Sequence, residues 1–142
     1  DLVQKRGHIV ADKTKLPLIV SSDIETITKT KDLKQVLIDL GIGDDIARAS
    51  MTRKAKSGTA RRRGRQARSG TSALIVVGND SKLVNLSQSI PGIDIKHAKD
   101  LSVIDLVPGS KPIRLTIFSQ NAVENLKSLQ APMHKVMELI NK

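Results

Sequence analysis

The sequence predicts a three-layer α/β domain in which helices cover both faces of a mostly parallel sheet. Two observations support this prediction. Short apolar runs of strand length alternate along the chain with segments whose apolar residues recur at helical spacing. One run, residues 73–77 (ALIVV), is apolar throughout, which is typical of a strand buried on both faces of a parallel sheet. The expected topology is Rossmann-like, and 142 residues with 39% hydrophobic content suit a single globular domain over residues 1–142.

The first third of the chain predicts one strand and two helices. Residues 16–20 (LPLIV) form a short apolar run, expected to be a buried strand that leads into a turn or cap. The next apolar residues recur at the spacing of one helix face: Leu33, Val36, Leu37 and Leu40. Gly41 follows directly and is expected to end that helix. Asp44 and Asp45 then open a second helix, where their charges favour its N-terminal end.

The second half repeats the alternation. Asp80 or Ser81 is expected to cap a helix that stops at Pro91-Gly92. The apolar residues of that helix are Leu83, Leu86 and Ile90. The later predicted elements are a strand over residues 93–95, a helical turn over 101–106, a strand over 113–118, a helix capped by Ser119 and carrying residues 122–129, and a final helix from Pro132 through Ile140.

The charge of the chain is concentrated in one run. Eight of the 24 Lys and Arg residues lie within it: Arg53, Lys54, Lys56, Arg61, Arg62, Arg63, Arg65 and Arg68. The remaining 16 bases nearly balance the 14 acids, so the rest of the chain is close to neutral. No acid occurs from Arg53 to Ser72. We interpret residues 51–72 as a basic RNA-binding loop inserted between a helix and a strand, and we expect it to be unstructured until RNA is bound.

A basic run of this kind predicts a polyanionic partner, either nucleic acid or an anionic membrane surface. Arginine forks bind phosphate oxygens bidentately, and the interleaved glycines let the backbone follow a curved phosphate surface. The run lacks apolar anchors for a membrane. Phe118 is the only aromatic residue, so folded RNA or a duplex is favoured over stacked single strands. Gln66 is a candidate to reach a base or a 2′-hydroxyl, and Lys5 and Arg6 are candidates for additional contacts. The simpler alternative is a solvated charged loop.

Other function classes have weaker support. Gly41-Ile42-Gly43 follows a helix, whereas a dinucleotide fingerprint follows a strand. The turn at residues 78–81 lies where open sheets bind ligands, but helix capping is the preferred explanation. His8, His97 and His134 are far apart in sequence and are expected to be surface or packing residues. The sequence therefore predicts no catalytic residue, metal site or cofactor. The alternatives are a nucleotide- or metabolite-binding α/β enzyme with a basic loop, and a DNA-associated protein.

A series of short motifs carries a resemblance to a known family. They are Lys5-Arg6-Gly7-His8, Leu16-Pro17-Leu18-Ile19-Val20, the helix from Lys29 that ends Leu40-Gly41, Asp44-Asp45, Arg48-Ala49, Arg63-Gly64-Arg65, Leu74-Ile75-Val76-Val77-Gly78, Ile90-Pro91-Gly92, Leu106-Val107-Pro108-Gly109 and Arg114-Leu115-Thr116-Ile117-Phe118. In their order and spacing, the chain resembles the large-ribosomal-subunit protein four family, in its archaeal and eukaryotic branch.

This resemblance implies a structural, non-enzymatic protein of the cytoplasmic ribosome, with large-subunit rRNA and neighbouring large-subunit proteins as partners. It implies neither a membrane partner nor a small-molecule substrate. The family's N-terminal part, with a long arm that lines the peptide exit tunnel, would precede Lys5 and is expected to be missing here. Residues 54–72 then match a second basic segment that lies on rRNA. The lack of a eukaryotic C-terminal extension favours an archaeal source.

Overall fold

The structure is a computed structural model that describes residues 2–10, 16–87, 89–110 and 114–128. In chain order its helices and strands are α1 (Leu2–Lys5), β1 (Leu18–Val20), α2 (Thr30–Asp39), α3 (Gly43–Met51), β2 (Lys54–Ala55), α4 (Gly58–Arg62), β3 (Ala67–Arg68), β4 (Leu74–Val77), β5 (Asp94–His97), α5 (Val103–Leu106), β6 (Thr116–Ser119) and α6 (Gln120–Ser128). Short 3₁₀ helices occupy Ser22–Thr26, Lys82–Leu86, Ala98–Asp100 and Pro108–Ser110.

Four strands form a parallel sheet in the order β1-β6-β4-β5. Strand β4 lies inside the sheet, where Ile75 pairs with Ile117 of β6 on one side and with Ile95 of β5 on the other. All four residues of β4 are fully buried. The predicted α/β class and its mostly parallel sheet are therefore confirmed, as is the burial of β4 on both faces.

Alternate residues of β4 contribute to two separate cores. Ile75 and Val77 pack in the larger core, which includes Leu33 and Leu37 of α2 together with Ile46 of α3. Leu74 and Val76 pack in the smaller core with these residues of the opposite layer: Ala98, Ala122, Leu101, Leu106 and Leu126. Because successive side chains of a strand point to opposite faces, the sheet is the middle of three layers.

Helices α2 and α3 follow the predicted pattern closely. Leu33 and Leu37 of α2 are fully buried on the face that the spacing indicated. Gly41 adopts φ +78°, a left-handed conformation that costs glycine little, and its N–H bonds the Ile38 carbonyl at the end of the helix. The tight turn lets α3 begin at Gly43 and pack against α2.

The segment predicted to be a helix after β4 is shorter and tighter than expected. Residues Lys82–Leu86 form a 3₁₀ helix, with the Ser81 hydroxyl accepting from the Leu83 N–H at 3.2 Å. The Ser87 hydroxyl then accepts from the Ile95 N–H at 2.9 Å, which attaches the chain to β5 one residue after the helix ends. The connection between β4 and β5 contains β-branched and small polar residues, which have low helix propensity. A single short 3₁₀ helix therefore forms there instead of a longer α-helix.

Strand β1 is less buried than the sequence predicted. It lies at the sheet edge and pairs with β6, so Ile19 is 59% exposed, although the run was expected to form a buried strand. Strand β6 begins at Thr116, and Ser119 caps α6 as predicted, accepting from the Ala122 N–H at 3.0 Å. The predicted turn over 101–106 appears as α5. Ile113, Leu129, His134 and the predicted final helix over residues 132–140 lie outside the described residues.

Candidate nucleic-acid interface

Most of the basic run forms a small ribbon between α3 and β4. Strands β2 and β3 pair antiparallel, with Lys54 opposite Arg68 and Ala55 opposite Ala67. The Lys56 N–H extends the pairing by donating to the Gln66 carbonyl at 2.9 Å. Helix α4 lies at the far end of the pair. We call residues 54–68 the basic ribbon.

Glycines make the ribbon's tight turns possible. Helix α4 begins at Gly58, with φ +62°, and is followed by Gly64, with φ +78°. The Gly64 N–H bonds the Arg61 carbonyl at 3.1 Å, and the Arg65 N–H bonds the Ala60 carbonyl at 3.0 Å, which is a typical glycine-terminated helix end. The sequence predicted no structure here without RNA. In the structure, backbone hydrogen bonds connect the two strands and α4, which has no buried residue, and the ordering of this segment on RNA stays a prediction.

The ribbon presents its charge to solvent. The predicted contact residues are exposed, except Lys56, which is half-buried: Arg53, Lys54, Lys56, Arg61, Arg62, Arg63, Arg65, Gln66 and Arg68. Within the described ranges, none of these side chains forms an ion pair or a hydrogen bond with another residue. Lys54 and Arg68 face each other across the two strands, and like charges in that position repel. An external polyanion would relieve this repulsion.

The two N-terminal candidates differ from each other. Lys5 is exposed at the end of α1. Arg6 is half-buried, and its guanidinium donates to the Pro108 carbonyl at 2.8 Å. Arg6 therefore has a structural contact within the domain, whereas Lys5 projects into solvent.

A buried carboxylate at the base of the ribbon was not expected from the sequence. Asp45 was interpreted as a charge at the N-terminal end of α3, but it is fully buried. Its carboxylate accepts four hydrogen bonds, from His8 Nδ1 at 3.1 Å, the Ile9 N–H at 2.9 Å, Arg48 Nε at 2.9 Å and Ser72 Oγ at 2.6 Å. Burial alone would raise the pKa of Asp45, but these hydrogen bonds outweigh it and hold the pKa well below its usual range.

The signal for this burial was present in the sequence. Asp45 lies three residues after Ile42 and four before Ala49, so all three share one face of α3. A lone acid on an apolar helix face requires hydrogen-bond donors from elsewhere in the fold. His8, expected to be a surface or packing residue, is one of them and is itself buried.

Arg114 is a second buried charge that the sequence did not reveal. It is 4% exposed, and its guanidinium pairs with Asp94 at 2.7 Å. It also donates to three backbone carbonyls, those of Ser72 at 2.8 Å, Gly92 at 3.2 Å and Ala73 at 3.3 Å. In sequence it reads as one of the polar positions of an alternating strand. The fold instead places its side chain where the chain between β3 and β4 enters the sheet.

The carboxyl ends of the parallel strands contain another carboxylate. Glu25 accepts from the Gly78 N–H at 2.9 Å, from the Ser119 hydroxyl and from Asn121 Nδ2 at 3.2 Å. Burial raises the pKa of Glu25, but the bonds from Ser119, Gly78 and Asn121, with the nearby His97, lower it overall. The ligand position required by the nucleotide-enzyme alternative thus contains a negative charge of the protein itself, which would repel a phosphate.

Neither a metal-binding cluster nor a membrane-spanning helix occurs in the part of the chain that the structure describes. Within these ranges, no group of three or more His, Asp or Glu side chains is arranged to hold a metal ion. In the same part of the chain, no helix has the length and apolar character needed to cross a membrane.

Comparison with known proteins identifies the family. The model of the ribosomal protein L4/L1 family matches residues 3–129. The large ribosomal subunit protein uL4 of Methanocaldococcus jannaschii is 41% identical over 127 residues, which cover 89% of this chain and 50% of that protein. The chain belongs to the ribosomal protein L4/L1 family.

Other members of the L4/L1 family give a similar match. The uL4 proteins of Methanosphaera stadtmanae and Methanococcus aeolicus are each 38% identical, covering 91% and 89% of this chain and 50% of the relative. These relatives are archaeal, so the predicted family and branch are confirmed. The family match includes the basic ribbon, Asp45 and Arg114. The chain spans about half the length of the curated relatives it matches.

Proposed function

We propose that this chain is a structural, non-enzymatic constituent of the large ribosomal subunit that binds large-subunit rRNA through its basic ribbon. Membership of the L4/L1 family supports the ribosomal part of the proposal. The observation that supports the binding mode is the ribbon itself. It displays a dense set of solvent-accessible arginines and lysines, with no acid between Arg53 and Ser72 to neutralise them.

The proposed contacts fall into three groups. The principal phosphate contacts are Arg61, Arg62, Arg63, Arg65 and Arg68. The secondary contacts are Arg53, Lys54, Lys56 and the N-terminal Lys5 and Arg6. Gln66 is assigned to a base edge or a 2′-hydroxyl, because its exposed amide can both donate and accept. With Phe118 the single aromatic residue, recognition would depend on phosphate contacts and RNA shape and not on base stacking.

The wider setting follows from the same proposal. The chain would act in the cytoplasm, within the ribosome, next to other large-subunit proteins, and would support subunit assembly near the peptide exit tunnel. The basic loop, residues 51–72, would be the part of the domain that enters the RNA. No cofactor, membrane or small-molecule substrate takes part in this proposal.

A salt titration of RNA binding tests the interface. We expect the triple variant R61A/R62A/R63A to bind a structured large-subunit rRNA fragment more weakly. The slope of log K against log salt should also become shallower by roughly 0.7–0.9 unit for each phosphate-binding arginine that is removed. Filter binding or fluorescence anisotropy across a salt series measures both quantities.

The matched control removes the same charge elsewhere. Lys29, Lys31 and Lys34 are exposed residues at the start of α2, so K29A/K31A/K34A lowers the net charge equally without changing the ribbon. Equal decreases of slope in the two triple variants would contradict the proposed interface. Equally tight binding of duplex DNA at the same salt would favour a DNA-associated protein instead.

A further inference from the structure

We propose that Asp45 is a positioning residue for RNA binding, because its buried carboxylate fixes the base of the basic ribbon to the domain before RNA arrives. This inference rests on the proposed function and adds to it the group that orients the interface. Asp45 would touch no RNA. It would act through the residues at the ribbon's base, Thr71 and Ser72.

The carboxylate connects three separate segments of the chain. One oxygen accepts from His8 Nδ1 and from Ser72 Oγ, and the other from the Ile9 N–H and Arg48 Nε. His8 and Ile9 belong to the segment after α1, whereas Ser72 lies between the ribbon and β4. These partners are separated from Asp45 by 37, 36 and 27 positions in sequence. One ionised group therefore joins parts of the chain that local structure does not connect.

Arg48 extends the connection to the segment between β3 and β4. Its guanidinium bonds Asp45 at 2.9 Å and donates at the same time to the Thr71 carbonyl at 2.9 Å. Thr71 and Ser72 are consecutive, so Asp45 holds Ser72 directly and Thr71 through Arg48. Two adjacent residues are then fixed in both position and direction, which a single contact cannot achieve.

The chain that leaves α3 is held at the same level. Thr52 follows α3, and its hydroxyl donates to the Ala49 carbonyl at 2.9 Å and accepts from the Gly70 N–H at 3.1 Å. We call this base of the ribbon, residues 52 and 70–72, the neck. Gly92 packs against the neck so tightly that a Cβ there would lie 2.6 Å from the Gly70 carbonyl oxygen. The neck is therefore held on both of its segments, and two buried charges, Asp45 and Arg114, contact its Ser72.

The ribbon beyond the neck has little else to fix its direction. Strands β2 and β3 contribute two residue pairs, α4 has no buried residue, and Lys54 faces Arg68. A ribbon that is already directed by its neck loses less conformational freedom on binding, and preorganisation of this kind increases affinity without any new contact. Loss of the Asp45 charge should therefore weaken RNA binding even though it makes the protein more positive.

The test compares Asp45→Asn with Asp44→Asn in the 142-residue chain. Both substitutions remove one negative charge from neighbouring positions of α3, but Asp44 is exposed and Asp45 is buried. Hydrogen exchange without RNA is measured first. We expect the amides of Lys56 and Gly70 to exchange about tenfold faster in Asp45→Asn than in Asp44→Asn, relative to the amides of β4.

RNA affinity is measured on the same two variants. We expect Asp45→Asn to bind the rRNA fragment about tenfold more weakly than Asp44→Asn, with an unchanged salt slope because the phosphate contacts in the complex remain. A purely structural role would lower the melting temperature and leave the affinity of the folded protein unchanged. That result would overturn the proposal.

A milder substitution covers the case in which Asp45→Asn does not fold. Ser72→Ala removes one of the four bonds and leaves the carboxylate in place, and it should shift exchange and affinity in the same direction by less. If the hydrogen exchange of the neck amides is unchanged in a folded variant, the positioning role is refuted. Equal RNA binding by the wild type and R61A/R62A/R63A refutes the proposed function instead, so the two failures are distinguishable.

Discussion

At the scale of single residues, two buried charges of opposite sign lie on either side of the segment from Thr71 to Ala73. Asp45 accepts from the Ser72 hydroxyl, and Arg114 donates to the Ser72 and Ala73 carbonyls. Buried charges are tolerated when their hydrogen-bonding groups are satisfied, which both side chains achieve with partners from distant segments. The return of the ribbon to the sheet therefore depends on a few polar contacts.

Arg114→Met is predicted to destabilise the domain by about 2–4 kcal/mol, because it removes the donor to the Ser72 carbonyl, the bonds to the Ala73 and Gly92 carbonyls and the ion pair with Asp94. The methionine retains much of the side-chain volume, so the loss of hydrogen bonds is the main change. Arg68→Met is the control, since Arg68 is exposed and should change stability by about 0.5 kcal/mol or less. Urea unfolding followed by circular dichroism compares them, and equal midpoints would contradict a structural role for Arg114.

At the scale of elements, the strand and helix assignments succeeded where the pattern was strong and local. The unbroken apolar run of β4 and the helical spacing of α2 each indicated one structure. The length of the helix predicted after β4 was overestimated. The observed 3₁₀ helix ends at Leu86, because Ile90, which was counted as part of the same helix, belongs to the turn before β5. Strand β1 was thought buried because an apolar run does not reveal its position in the sheet, which depends on its pairing with β6.

The turn before β5 gives an element-scale prediction. Gly92 has φ +83° and lies against Gly70, whereas Gly7 has φ +97° and has no atom within 4 Å of the position that a Cβ would take. Both Gly→Ala substitutions incur the cost of a left-handed conformation, about 1 kcal/mol, but only Gly92→Ala adds a clash with the ribbon's neck. Denaturant unfolding should show Gly92→Ala to be less stable than Gly7→Ala by at least about 1 kcal/mol. Equal stabilities would contradict this prediction, because they would show that the neck moves to accommodate the added Cβ at little cost in free energy.

At the scale of the whole molecule, a nearly neutral folded domain carries a strongly basic extension. The net charge of +10 comes mostly from residues 53–68. Three carboxylates outside the ribbon form hydrogen bonds that stabilise the fold. They are Asp45 at the ribbon's base, Glu25 at the strand ends and Asp105 at the start of α5. This division separates the groups that determine stability from those proposed to bind RNA.

Stability is predicted to fall in acid. The pKa values of Asp45, Glu25 and Asp105 are all lower in the folded protein than in the unfolded chain. Their stabilisation is therefore fully present above the unfolded pKa values, which are about 4, and is lost as the pH falls below them through the folded values. The melting temperature should be nearly constant between about pH 7 and about pH 5 and should drop steeply below about pH 4.

The Asp45→Asn variant provides the control for that experiment. It lacks the most strongly perturbed carboxylate, so its melting temperature at neutral pH should be lower and its decline in acid shallower than that of the wild type. Parallel acid profiles for the two proteins would show that Asp45 is not the dominant group.

The sequence by itself determined the α/β class, the burial of β4, the helices α2 and α3, the family and the position of the basic run, because each depends on composition or on residues close together in the chain. The tertiary structure decided which charges are buried. Asp45 meets His8 and Ser72, and Arg114 meets Ser72 across 42 positions, so these roles exist only once the sheet has brought those segments together. Local pattern placed Asp45 on the apolar face of α3, but it could not indicate these partners, because they lie 27 to 37 positions from Asp45 in the chain.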